Sequence, residues 1–235
     1  MAQPARHAEH SVDFNRSNSV ALRVRLVWTG VTILALIGIA AAVIRALRLM
    51  FGAAPSPQAF DVGFSQHPIL TLVHIVPGAL FMVLGPFQFM PSIRTRRLWQ
   101  HRWSGRVFVA VGYVIGISAL FMTSQMAIGG ANERAAILLF DSAFLFSFTK
   151  AIWHIRRREV VQHREWMLRA FGIGLGVATT RPIAGAFFAA RTLAPQEFFG
   201  IAFWIGFSVT AIAAELWINV TRRRSVTTIA TAGVG

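Results

Sequence analysis

Residues 26–44 read LVWTGVTILALIGIAAAVI, nineteen positions without a charge. As a helix rising 1.5 Å per residue, such a run matches the roughly 30 Å hydrocarbon core of a bilayer. A cleavable signal segment has a shorter apolar region, so this one reads as an anchor that stays. Similar runs follow over residues 68–91, 107–131, 135–155, 166–190 and 198–220. The fold class they imply is all-α: a polytopic membrane protein of six transmembrane helices.

Composition agrees with that reading. Of 235 residues, 55% are hydrophobic and 14% charged, where a soluble domain carries about 25% charged residues. The chain has no cysteine, which excludes disulfides, zinc thiolates, iron–sulfur clusters and thiol nucleophiles. Any metal or cofactor must therefore rest on histidine, carboxylate or backbone. A net charge of +14 would suggest nucleic acid in a soluble protein, but here the cations gather at the ends of apolar runs, which is topology and not nucleic-acid binding. No phosphate loop, Ser-His-Asp series, His-x-x-x-His or strand-borne GxGxxG occurs. Residues 172–176, GIGLG, lie inside a span and read as close helix packing. Whether the chain is an enzyme stays open.

Orientation follows from the arginines and the lysine. Eighteen of the 23 fall on one side of the six spans, Arg45, Arg48, Arg134 and Arg191 on the other, and Arg181 within a span. The positive-inside rule puts the crowded side, with both termini, in the cytoplasm and the protein in the plasma (inner) membrane. Residues 1–22 are expected to be a disordered cytoplasmic segment, 23–221 the six-helix domain, and 222–235 a basic, then flexible, tail. The outer loop over residues 52–68 is either linker or a cover for the outer mouth.

Two stretches nearly repeat: WQHRWSGRVF at 99–108 and VQHREWMLRAF at 161–171. Both lie at the cytoplasmic ends of spans that run in the same direction. A duplicated hairpin, the second and third spans followed by the fourth and fifth, would produce this and make a pseudo-duplicated central four-helix unit. Interfacial anchoring would also produce it, with tryptophan at the headgroups and arginine on phosphates.

The costliest residues sit inside spans. An unpaired Asp or Arg at mid-helix costs about 2.5–3.5 kcal/mol, so Asp141 and Arg181 are expected to pair. Counting helix rise from the outer ends puts His74 about 9 Å, Asp141 about 10 Å and Arg181 about 15 Å deep, the last able to snorkel outward. Base, acid and guanidinium would thus form a buried polar cluster. Pro182, Pro77 and Pro86 free backbone carbonyls nearby. The cluster is either a pocket for a proton, an anion or a quinone headgroup, or a satisfied salt bridge that only locks the bundle. Glu215 is within reach of Arg106 or Arg169, or it snorkels alone.

His74, GPFQF at 85–89, HRWSGR at 101–106 and HREWMLR at 163–169 together resemble domain-of-unknown-function family 2306, predicted multi-pass bacterial membrane proteins. The resemblance covers roughly residues 67–181 and implies a multi-helix membrane fold, with no activity attached. The arrangement is also loosely similar to b-type cytochromes, in which histidines on neighbouring helices hold a haem. On that comparison His101 and His163 would be the ligands of a haem b, with Arg102, Arg106, Arg164 and Arg169 on its propionates. Gly105, Gly112, Gly116, Gly172, Gly174 and Gly176 would give the porphyrin close approach. Both histidines lie about 7–9 Å outside the last charges before hydrocarbon, at the interface.

Three functions fit. One is a haem- or quinone-linked redox component that works with a redox partner. Another is a proton-coupled small-molecule carrier using His74, Asp141 and Arg181. The third is a non-catalytic component that holds anionic lipid, another subunit or a second copy of itself.

Overall fold

The computed structural model describes residues 3–52 and 59–232. Among the described residues every regular element is an α-helix: α1 Gln3–Phe51, α2 Val62–Gln66, α3 Pro68–Phe89, α4 Pro91–Arg96, α5 Leu98–Met126, α6 Gly130–Arg156, α7 Val160–Ala190 and α8 Pro195–Ala232. Six are long and apolar enough to cross a membrane: α1 over Leu22–Phe51, then α3, α5, α6, α7, and α8 over Pro195–Arg222.

Local chemistry sets the breaks. Pro68 and Pro91 open α3 and α4, where a missing N–H costs nothing because the first turn has no partner for it. The α5–α6 turn needs a left-handed residue, which Gly130 supplies at φ 58°. Helix α3 stops at Phe89, short of the expected Pro91, and α5 stops at Met126, short of residue 131. Helices α5 and α7 begin at Leu98 and Val160, well before the expected 107 and 166, so the two Gln-His-Arg stretches are helical themselves. An apolar run marks what crosses lipid, whereas the helical ladder continues through polar turns at the surface. Helix α1 begins at Gln3 and α8 ends at Ala232. Residues 53–58 of the outer loop, residues 1–2 and residues 233–235 lie outside the described residues, and the expectations for them go no further.

The outside of the bundle is apolar. Leu36, Phe121, Leu139 and Leu216 are each more than half exposed, a surface that lipid solvates and water does not. The middle of the bundle belongs to α7, which packs most extensively on α8 and α6 and also touches α1; α3 packs on α5 and α1. The core is a knot of rings. Phe81 stacks on Phe108 at 4.5 Å between centroids, Phe144 meets Phe148 edge-on at 5.0 Å, and Phe171 lies 5.9 Å from Phe81. Glycines make room for it: a Cβ on Gly174 would stand 2.6 Å from the Phe81 ring, and Gly85 and Gly112 face Phe171 and Phe148 more tightly still.

Two ion pairs fasten α7 to α8. Arg169 holds Glu215 through Nε at 2.5 Å and Nη2 at 3.0 Å, and Arg222 holds the buried Glu165. Of the partners open to Glu215, the fold takes Arg169 and leaves Arg106 exposed.

Candidate functional site

The six long helices surround a cavity of about 430 Å3 at the arginine-poor end of the bundle. Arg45 and Arg48 of α1, Phe64 of α2, Met126 of α5 and Glu133 of α6 stand around its mouth; Phe81, Phe144 and Gly174 form its floor. Its size falls within the roughly 300–1,000 Å3 of small-molecule sites, and its walls are mainly apolar, as such sites require. His74, Asp141 and Arg181 all line it.

His74 projects from the second turn of α3, and its Nδ1 lies 3.0 Å from the Ser118 hydroxyl of α5. That hydroxyl donates its single proton to the Ile115 carbonyl at 2.9 Å. The imidazole Nδ1–H is therefore the donor to Ser118, which leaves Nε2 a lone pair in the neutral ring. Asp141 is buried on α6, and its Oδ2 has no hydrogen-bond partner. Enclosing an ionised carboxylate without a partner costs several kcal/mol, so this position calls for a proton or for a donor brought by something else.

The expected pairing of Asp141 with Arg181 does not occur. Among the described residues the ion pairs are Arg45–Asp61, His154–Glu159, Arg169–Glu215 and Arg222–Glu165. Arg181 has Glu133 and Arg45 as charged neighbours, its charge also reaches the His74 ring, and it lines a smaller cavity of about 240 Å3 with Arg45, Arg48 and Asp61. Glu133 precedes Asp141 by eight residues, about 12 Å along α6. The long side chain thus reaches toward Glu133 and Arg45 at the mouth and away from Asp141. The cluster separates into two levels, Asp141 and a half-buried His74 deep in the cavity and the guanidinium above them.

Sequence reading missed Arg45, Arg48 and Glu133 as lining residues. Arg45 and Arg48 are three apart, hence on one face of α1, a spacing that counting charges for topology ignores. Arg45 bonds Asp61 at 2.7 Å and lies 4.4 Å from the Phe64 ring centroid. Glu133 is buried in the first turn of α6, where its Oε2 accepts the Gly129 N–H.

At the arginine-rich end the haem expectation meets a filled space. The His163 Nδ1–H donates to the Ala151 carbonyl at 2.9 Å, and His101 Nδ1 is buried without a partner. Neither histidine lines either cavity. The glycines meant to admit a porphyrin are met by protein: Gly105 by Gln88, Gly112 by Phe148, Gly116 by Leu145, Gly172 by Ala214, Gly174 by Phe81 and Gly176 by Phe207. Of the four expected propionate partners, Arg169 is taken by Glu215 and Arg164 reaches Thr221 at 3.4 Å. Arg106 lies 5.2 Å from the Trp103 ring centroid, and Arg102 is exposed. Among the described residues no cluster of three or more metal-ligating side chains occurs. These residues do not fit a haem.

A family model described as predicted membrane protein, DUF2306, matches residues 71–218. No curated protein and no solved structure matches the chain, so the likeness to b-type cytochromes gains no support. The family match takes in α3 through most of α8, with the cavity floor, His74, Asp141 and Arg181 inside it. The chain belongs to this family of predicted membrane proteins.

Proposed function

We propose that the protein is a proton-coupled carrier that binds a small molecule in the cavity between its helices. The observation that carries this reading is the buried, unpartnered carboxyl of Asp141 on the wall of a ligand-sized cavity, with the imidazole of His74 on the same wall. The positive-inside count puts the arginine-poor mouth outside the cell, and the phenylalanine knot then closes the route inward. A carrier needs two states, and a proton shifts their balance only if it binds them differently. Asp141 meets that condition if its carboxyl meets water or ligand in one state and is enclosed in the other.

The helices that would move carry their own breaks. Pro77 lies three residues after His74 in α3, and Pro182 directly follows Arg181 in α7. Each proline removes a backbone bond and gives its helix a place to bend. Helices α3 and α7 also meet at the cavity floor, through Phe81 and Gly174. Rocking one against the other would open that floor.

The test is a pH step on protein in nanodiscs, read by tryptophan fluorescence. Trp204 of α8 packs edge-on against Phe140, the neighbour of Asp141, at 5.7 Å. An acid step is expected to change the emission of the wild type, and both Asp141→Asn and Trp204→Phe to abolish that change. An Asp141→Asn response equal to the wild type would count against the carrier.

As for lipid binding, Arg157 lies 3.9 Å and Lys150 4.3 Å from the Trp153 ring centroid. Such a belt of cations over tryptophan supports an anchoring role at anionic headgroups.

A further inference from the structure

The charges on the cavity wall are sorted by depth, and this sorting restricts what can fill it. At the bottom are the Asp141 carboxyl, whose Oδ2 has no hydrogen-bond partner, and the His74 imidazole, whose Nε2 keeps a lone pair when Nδ1–H donates to Ser118. Both ask for donors. At the mouth are guanidinium groups. Arg45 is answered by Asp61, but Arg48 makes no ion pair among the described residues. Among the described residues Arg181 has only Glu133 for an opposite charge, and that carboxylate already accepts the Gly129 N–H. Along α6, Glu133 at the mouth stands about 12 Å of helix rise above Asp141; Arg181 comes between, near enough for its charge to reach His74, and aliphatic walls that include Ile115, Ile137 and Val177 fill the rest.

We infer that the cavity takes an amphoteric ligand: an amine at one end for Asp141 and His74, an aliphatic body, and a carboxylate or similar anion at the other end for Arg48 and Arg181. The inference rests on the carrier reading and gives its coupling a chemical form. A protonated amine brings a positive charge and up to three donors to the oxygens that otherwise hold a proton. Ligand and proton therefore compete for one carboxyl: as the ammonium enters, the carboxyl O–H breaks, its proton passes to water and the buffer, and the carboxylate pairs with the ammonium. A ligand with one charged end leaves the opposite level unmatched, and polar sites discriminate strongly against a ligand that lacks a group they were built to bond.

Calorimetric titration of the wild type in nanodiscs with ω-aminooctanoate, octanoate and octylamine tests this, and comparing the probes needs no variant. The aminooctanoate is expected to bind at least about tenfold more tightly than either one-ended probe. It should also release protons, seen as a binding heat that varies with the ionisation enthalpy of the buffer. Asp141→Asn is expected to bring its affinity down to that of octanoate, and the double variant Arg48→Gln, Arg181→Gln to that of octylamine. Equal binding of all three probes, or binding of none, while the Asp141-dependent pH response persists would overturn the amphoteric ligand and leave the carrier standing. Loss of that response as well would remove both.

Discussion

Gly174 has no side chain because the Phe81 ring occupies the space where one would stand, whereas a Cβ on Gly78, also on the cavity wall, would meet nothing within 4 Å. Gly174→Val is expected to force the phenylalanine knot apart at a cost of about 1–3 kcal/mol. Gly78→Ala should be neutral or stabilise α3 by up to about 1 kcal/mol through helix propensity. Thermal unfolding of the two variants in one detergent separates them, and equal melting temperatures would contradict the packing. The same distinction explains what could be read from single residues. Asp141 and His74 were recognisable because a polar group inside an apolar run is costly wherever its side chain points. That Arg181 turns away from Asp141 toward Glu133 was not recognisable, because a flexible side chain chooses its depth by partners that other helices supply.

Helix α7 illustrates the next level up. Its start and its glycines follow from local chemistry, but it ends on Arg191 in the left-handed region, φ 52°, where a glycine would serve better. A non-glycine residue held there costs about 1 kcal/mol, so Arg191→Gly is expected to raise thermal stability by up to that amount. An unchanged or lower melting temperature would show that the Arg191 side chain compensates. The doubled Gln-His-Arg stretches belong to this level as well. Both lie within the first three turns of α5 and α7. Common ancestry of two hairpins and the shared needs of two parallel helices at an interface predict the same thing for them.

For the whole molecule, the arginine asymmetry makes a topological prediction that the lack of native cysteine makes easy to read. Ser124, near the arginine-poor end of α5, and Arg157, in the α6–α7 turn, are both exposed. A membrane-impermeant maleimide is expected to label Ser124→Cys on intact cells and Arg157→Cys only after permeabilisation. The opposite pattern would put the cavity mouth inside the cell and reverse the direction of the proposed exchange. Six crossings and a basic end were available from residue order alone, because apolar length and terminal charge act locally and add along the chain. Which helices share a wall, that a knot of phenylalanines floors a cavity, and that Asp141 has no arginine beside it depend on depths and rotamers set across neighbouring helices. No single helix carries that information, so those features came into view only with the packed bundle.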